Sequence, residues 1–397
     1  MWTGQSVVMF LVFPDFNIRS TPLLFLSLQG LIFALLLLYR YFKKRNLSDL
    51  FLFFILLISC YQQTCYTVGF MGWYDTFRNT KINYFLIPMS VAVLPLIYLY
   101  IRSITMTSFT FRKIDWLHFL PAFLMIIYRF SIYAYDASLP GFDDTQNGYL
   151  KIHSDEAYVQ AIYVVFGYFQ NLLYLAFTFQ LFYIYRKKIK EFFSNTYKLE
   201  LNWIFSFLLL YTLLYLYDFV QTMISEFVIE LSYVQQWWMT LFTGIIIIYV
   251  GVKGYFTDTT KLQKLNFSFS PNRASIPDVN DNEKAISKEA ANELHHLMAT
   301  EKPYLNPELN LADLATMTNM TRGQLSETIN AGFNVNFNDF VNQYRVNEFK
   351  QLLEEEKHQK LSLLGLAFEC GFNSKATFNR VFKKLTSTSP TEYLKAS

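Results

Sequence analysis

The sequence has few cysteines and few charged residues for its length. Three cysteines in 397 residues are too few for a disulfide scaffold. Only 16% of the residues are Asp, Glu, Lys or Arg, against about 25% in ordinary soluble proteins. The 53% of hydrophobic residues excludes a disordered chain, because disorder requires low hydrophobicity and high net charge. The net charge of +3 is too small to identify a partner.

Seven long apolar stretches lie before residue 257, and none lies after it. Each reaches the roughly 17 to 25 apolar residues with which a helix crosses a bilayer core about 30 Å thick, and the fifth is long enough to tilt or to extend past the bilayer. A large soluble helical protein is disfavoured, because so many apolar runs leave no amphipathic helices to cover them. The pattern predicts an all-α chain with a seven-helix transmembrane bundle in residues 1–256. The predicted spans are 23–39, 50–69, 84–101, 116–133, 157–185, 203–224 and 237–256.

The loops between these spans differ sharply in positive charge. Those after the first, third and fifth spans hold 12 Lys and Arg residues, and those on the other side hold 3. Short loops rich in Lys and Arg stay in the cytoplasm. The chain is therefore predicted to have its N-terminus outside and the residues after 256 inside.

Six polar residues in the predicted spans, most of them in the outer half, are candidates for a signal pocket. They are Gln62, Gln63, Arg129, Gln170, Asn171 and Asp218. Ionisable groups at such depth usually face the bundle interior or a water-filled cavity. One interpretation is therefore a pocket open to the outside, in which Arg129 and Asp218 pair or contact the signal. The alternative is hydrogen bonding between helices, with Arg129 extending to the interface.

No motif for catalysis or for metal binding is found. His-Glu-x-x-His, Gly-x-Ser-x-Gly and a Walker-type loop are all missing from the sequence. Cys60 and Cys65 would lie on different faces of one helix, and His295 and His296 have no third ligand nearby. We therefore expect no catalytic residue, no metal and no cofactor, and we expect that the protein is not an enzyme.

The remainder of the chain predicts a linker and a helical domain. Residues 257–282 are polar and contain two prolines, as in a linker. Residues 283–397 begin with an amphipathic helix at 283–300 and then show two helix-turn-helix patterns, at about 309–330 and 361–385. A long helix at 337–355 would join them. Thr321 and Ser374 are the expected N-caps of the second helix in each pattern.

Three segments of this tail resemble the DNA-binding domain of AraC/XylS-type bacterial transcription regulators. They are LADLATMTNMTRGQLSETIN, NFNDFVNQYRVNEFKQLL and LAFECGFNSKATFNRVFKKLTSTSPTEYL. The last follows the family pattern Ala-x-x-x-Gly-Phe-x-Ser-x-x-x-Phe-x-Arg-x-Phe-Lys-Lys, followed by Ser-Pro-x-x-Tyr. The resemblance implies binding of each monomer to two successive major-groove segments of double-stranded DNA. It also implies activation, or sometimes repression, of transcription, frequent homodimers and contact with RNA polymerase. Together with the predicted spans, a bacterial regulator would lie in the cytoplasmic (inner) membrane.

The resemblance also implies which residues contact DNA. The first reading helix would present Gly323, Ser326 and Glu327 to bases, and the second Lys375, Ala376, Thr377, Asn379 and Arg380. Arg or Lys can donate to guanine, Asn can pair with adenine and Glu can accept from cytosine. Phosphate contacts are expected from Arg322, Lys383 and Lys384.

Two positions depart from the family. Glu327 stands where a basic residue is common, so the first motif is expected to bind weakly or to read other bases. Ser387 replaces a common glycine, which should strain that turn modestly.

Together these features predict a membrane-bound one-component transcription regulator, controlled by a signal that the transmembrane bundle senses. A transporter or membrane enzyme with a regulatory tail is the alternative for the whole chain. A helical protein-interaction domain is the alternative for the tail.

Overall fold

The structure is a computed structural model, and it describes residues 16–71, 81–106, 109–145, 147–196, 199–257, 281–355 and 361–396. The secondary structure of these residues is helical, apart from one isolated antiparallel bridge between Phe193 and Asn310. The predicted all-α class is thus confirmed. The described chain divides into an N-terminal unit, residues 16–182 and 202–257, and a C-terminal unit, residues 183–201 and 281–396. Most of the predicted linker at 257–282 lies outside the described residues.

Each predicted span corresponds to one long helix. These are α1 Ser20–Lys44, α2 Leu47–Phe70, α3 Ser90–Thr105, α4 Leu120–Ala137, α5 Gln160–Phe192, α6 Asn202–Phe227 and α7 Trp237–Phe256. All seven lie in the N-terminal unit except the last ten residues of α5, 183–192, which belong to the C-terminal unit. A 3₁₀ stretch at Lys113–Phe119 leads into α4, and a π-helical stretch at Lys151–Val159 leads into α5. Six helical segments are long and apolar enough to cross a membrane, whereas α3 is shorter. The predicted number of seven membrane-spanning helices is therefore not confirmed.

Helix α3 is short because its predicted span contains a break. The span was expected to begin at Tyr84, but residues 86–89 are not helical and the helix starts at Ser90. Pro88 accounts for the break, because the residue before a proline disfavours the α conformation and proline lacks an N–H donor. Thirteen of the 16 residues of α3 are buried, so α3 is an interior helix of this unit.

Glycines allow α1, α2 and α7 to approach closely. A Cβ atom added to Gly30 of α1 would lie 2.5 Å from Cγ2 of Ile247 and 2.6 Å from Sγ of Cys60. Gly254 of α7 meets Leu52 of α2 in the same way. Small residues at such contacts are typical of helix packing in membranes.

The C-terminal unit contains the two predicted helix-turn-helix motifs. Its helices are α8 Asp281–Thr300, α9 Leu311–Met317, α10 Arg322–Phe333, α11 Phe337–Glu354, α12 Leu363–Glu369, α13 Lys375–Thr386 and α14 Pro390–Ala396. Thr321 accepts a hydrogen bond from the backbone N–H of Gln324, and Ser374 accepts one from that of Thr377. Both predicted N-caps are therefore confirmed.

Helix α11 connects two hydrophobic cores. Phe340 and Val341 pack in the core of the first motif, and Phe349 and Leu352 pack in the core of the second. Burial on both cores makes α11 the rigid connection between the motifs.

Two turns of the second motif adopt left-handed backbone conformations. Gly371, between α12 and α13, has φ 86°, and Ser387, which ends α13, has φ 64°. An L residue with a side chain takes this conformation at a cost of about 1–2 kcal/mol, which glycine avoids. The backbone of Ser387 thus has the conformation for which glycine is the favoured residue.

Candidate nucleic-acid interface

Helix α13 has one buried and one exposed face. Phe378, Val381 and Phe382 are buried against the second core. The other face exposes residues from the predicted DNA-contacting set, namely Lys375, Ala376, Asn379, Arg380, Lys383 and Lys384. Four of these six carry a positive charge, so the exposed face of α13 suits a polyanion.

Thr377 does not belong to this exposed face. Its residue is only 5% exposed, and its Oγ1 lies 2.9 Å from Oγ of Ser374. Its backbone N–H donates to the same Ser374 oxygen at 3.2 Å. Thr377 therefore stabilises the start of α13, and its contact with bases stays a prediction.

Helix α10 exposes a less basic surface. Arg322, Gly323 and Glu327 are exposed and Ser326 is half-buried, whereas Leu325 is buried in the first core. One cation and one anion share the exposed face, so the phosphate attraction of α10 is weaker than that of α13.

Arg380, a predicted base-contacting residue, forms an ion pair with Glu200. Both terminal guanidinium nitrogens donate to the two carboxylate oxygens, each at 3.0 Å. Thr196 donates to Glu200 at 2.8 Å, and Arg186 lies 3.5 Å away. Burial acts to raise the pKa of Glu200, but the hydrogen bonds from Arg380 and Thr196 and the nearby positive charges outweigh it and lower this pKa. Glu200 is therefore ionised at neutral pH.

Lys384 also has a partner within the C-terminal unit. Its Nζ lies 2.7 Å from Oδ1 of Asp339, and both side chains are partly exposed to solvent. Such a surface pair contributes little to stability, so it leaves Lys384 available to a phosphate.

The six polar residues of the predicted spans make different contacts. Arg129 donates to Asp155 at 2.6 Å, and Lys151 pairs with the same carboxylate at 2.5 Å. Asp218 instead accepts a hydrogen bond from Tyr168 at 2.7 Å. The suggested charge pair between Arg129 and Asp218 is therefore corrected, since each has another partner.

The amide side chains mainly contact neighbouring helices. Gln63 donates to the carbonyl of Leu23 at 3.1 Å, and Gln170 donates to that of Val91 at 2.8 Å. Gln62 is half-buried, and Oδ1 of Asn171 is buried without a hydrogen-bond partner among the described residues. The contacts of Gln63 and Gln170 agree with the alternative in which these residues join helices.

No metal-binding cluster is present in the part of the chain that the structure describes, where no group of three or more His, Cys, Asp or Glu is suitably placed. Cys60, Cys65 and Cys370 are not in disulfide bonds. Burial, assisted by Glu348 and Glu369, raises the pKa of Cys370 to about 12. The Cys370 thiol is therefore neutral at physiological pH.

Two helix-turn-helix motifs on a shared central helix, with a basic face on α13, define a DNA-binding domain. Residues 314–396 match the model of a family described as a helix-turn-helix domain. No curated protein and no solved structure matches the chain. This match supports the resemblance of the C-terminal domain to AraC-type regulators, and it supports a role in DNA binding and transcription regulation.

Proposed function

We propose that this protein is a membrane-bound one-component transcription regulator. One observation carries the proposal: a single chain holds both an AraC-type helix-turn-helix domain and six apolar helices of membrane-crossing length. The tail would bind specific DNA sites as a homodimer and contact RNA polymerase, and the transmembrane part would sense a signal. It is proposed as a regulator and not as an enzyme.

The two chain segments that form the C-terminal unit support a cytoplasmic location for the DNA-binding domain. Residues 183–201 and 281–396 pack in one unit, and α6 and α7 lie between them in the chain. Two membrane crossings return a chain to the same side, so both segments would share a compartment. Residues 183–201 also belong to the loop richest in Lys and Arg, which identifies that compartment as the cytoplasm.

The same charge pattern supports a membrane crossing by α3. The basic loops after α1, α3 and α5 lie on one side only if α3 also crosses. Its 16 residues extend about 24 Å, less than a core of about 30 Å. Since α3 is buried within its unit, protein can surround the non-helical residues 86–89 that precede it. We propose seven crossings with the N-terminus outside, which reporter fusions to each loop would test.

Control by a signal requires two states of the N-terminal unit. A signal shifts their equilibrium only if it binds the two states with different affinities. The buried charges of Arg129, Lys151 and Asp155 are the proposed region of signal binding. Two tails held together in a dimer would then bind paired DNA sites at higher effective concentration.

The test is selection of DNA by the full-length protein in lipid nanodiscs. Fragmented chromosomal DNA from the source bacterium would be incubated with the protein, and bound fragments would be sequenced and footprinted. Asn379→Ala and Lys375→Ala should each weaken specific binding, by about 5- to 150-fold where a bidentate base contact worth roughly 1–3 kcal/mol is lost. Lys395→Ala, which removes a charge outside both reading helices, should change binding little. If no fragment is enriched, or if Asn379→Ala and Lys375→Ala bind as the wild type does, the proposal is wrong.

A further inference from the structure

The described residues between α5 and α6, 193–196 and 199–200, form a segment that is docked on the DNA-binding domain within the C-terminal unit. Phe193 forms an antiparallel bridge with Asn310, at the start of the first motif. Ser194 donates from its hydroxyl to the carbonyl of Leu309 at 2.5 Å. Asn338 of α11 donates to the carbonyl of Ser194 at 2.7 Å. The docked segment therefore contacts both the first motif and the central helix.

Burial shows that this docking is specific. Ser194, Thr196 and Glu200 are each at most 1% exposed. Arg345 of α11 donates to the hydroxyl of Ser194 at 3.2 Å. Polar groups are costly to bury without partners, and each of these three has a partner in the C-terminal unit. The docked segment is thus part of the folded domain.

The ion pair between Glu200 and Arg380 uses the groups that would read DNA. A planar guanidinium binds a carboxylate through two parallel N–H donors, as it does here at 3.0 Å for each bond. The same two donors form the bidentate contact of an arginine with O6 and N7 of guanine. Arg380 therefore cannot bind Glu200 and a guanine in these ways at the same time.

The surroundings of Glu200 make its separation from Arg380 feasible. A buried carboxylate that loses its only partner is strongly destabilised. Thr196 and Arg186 would still contact Glu200 after Arg380 leaves. On the other side of the pair, the side chain of Arg380 is 52% exposed, so DNA can approach it while the pair is intact. Arg380 can therefore exchange Glu200 for a DNA base without leaving Glu200 unpartnered.

We propose that the docked segment is an autoinhibitory element in which Glu200 competes with DNA for Arg380. The inference rests on the proposed function, since it requires that Arg380 contact DNA. Release of Glu200 would be a necessary step in DNA binding. Because the segment follows α5 directly in the chain, a change at the end of α5 is the natural source of that release.

The experiment compares full-length variants in nanodiscs, with DNA fragments selected by the Glu200→Gln variant. Glu200→Gln should bind these fragments more tightly than the wild type, by about 5- to 150-fold, the usual range for coupled sites. Glu191→Gln removes the same charge at the end of α5 and is the matched control, for which no gain is expected. In an Arg380→Ala background, Glu200→Gln should have no effect, because the two residues act as a pair. Glu200→Asp keeps the charge and should give a smaller gain.

The outcomes separate this inference from the proposed function. Unchanged or weaker binding by Glu200→Gln, together with loss of binding in Asn379→Ala, would overturn autoinhibition and leave DNA regulation supported. An equal gain in Glu191→Gln would also overturn it, because the effect would then be one of net charge. Failure of every variant to bind any fragment would overturn both proposals. If Glu200→Gln does not fold, the fragments are selected by Glu200→Asp instead, and tighter binding of them by Glu200→Asp than by the wild type is required.

Discussion

Arg345 donates a hydrogen bond from Nε to the carbonyl of Tyr304 at 2.7 Å, although Arg345 is only 1% exposed. A second guanidinium nitrogen donates to the carbonyl of Asn306 at 2.8 Å. Burial lowers the pKa of Arg345 to about 10, so the group remains charged at pH 7. These hydrogen bonds join the central helix α11 to residues 304–306, which precede the first motif.

Arg345→Met should destabilise the C-terminal unit by about 3 kcal/mol, because the buried carbonyl of Tyr304 and the buried hydroxyl of Ser194 would lose a charged donor. Arg345→Lys should rescue little, since an ammonium group cannot reproduce the planar fork. Pulse proteolysis of the full-length protein in increasing urea measures the free energy of unfolding of this unit. A loss below about 1 kcal/mol for Arg345→Met would show that the hydrogen bonds contribute less than their burial suggests.

Gly371→Ala should destabilise the same unit by more than about 2 kcal/mol, because an L residue is strained at φ 86°. The added Cβ would also meet the backbone carbonyl of Tyr304, which Arg345 already holds in place. Gly365→Ala is the matched control in α12. Its Cβ would lie 3.4 Å from Oγ of Ser362, and alanine favours a helix by about 0.5–1 kcal/mol. Equal unfolding free energies for the two variants would contradict this account.

The features of the fold that depend on local sequence could be predicted. The N-caps Thr321 and Ser374 follow from the residue type at a helix start, and α7 has the bounds predicted from its apolar run. The predicted start of α3 was too early, because the prediction followed the long apolar run and gave less weight to the local effect of Pro88. The burial of Thr377 could not be predicted from the family pattern, since one helical step separates an exposed residue from a buried one.

The partners of the site residues could not be predicted, because they come from distant parts of the chain. Glu200 and Arg380 are 180 residues apart in the sequence. The Lys- and Arg-rich loop that holds Glu200 indicated only the side of the membrane on which it lies. Asp155, the partner of Arg129, lies just before the predicted fifth span and outside the set of buried polar residues. An acidic residue within a basic loop is the one sequence feature that could have drawn attention to Glu200.

Asp155→Asn should lower the stability of the N-terminal unit by about 3 kcal/mol, because Arg129 and Lys151 would lose the carboxylate that both contact. Adding Arg129→Gln should recover part of this loss, since it removes one uncompensated charge. Asp218→Asn is the control: this carboxylate accepts a hydrogen bond from Tyr168, so a smaller loss is expected. Thermal unfolding of the purified full-length protein, followed by tryptophan fluorescence, compares the variants. A larger loss for Asp218→Asn than for Asp155→Asn would contradict the prediction.

The effect of Glu200 on DNA binding should not change between pH 6 and pH 8. Burial opposes ionisation of Glu200, but its contacts with Arg380 and Thr196 prevail and hold its pKa below the ordinary value of 4.5. A carboxylate whose pKa falls on docking stabilises the docked state at pH values above 4.5. That stabilisation is lost as the pH falls through the lower, docked pKa, because the released carboxylate takes up a proton first. The ratio of the dissociation constants of the wild type and Glu200→Gln should therefore be constant from pH 8 to pH 6 and should decrease only on further acidification. A midpoint near pH 6.5 would instead indicate control by a histidine.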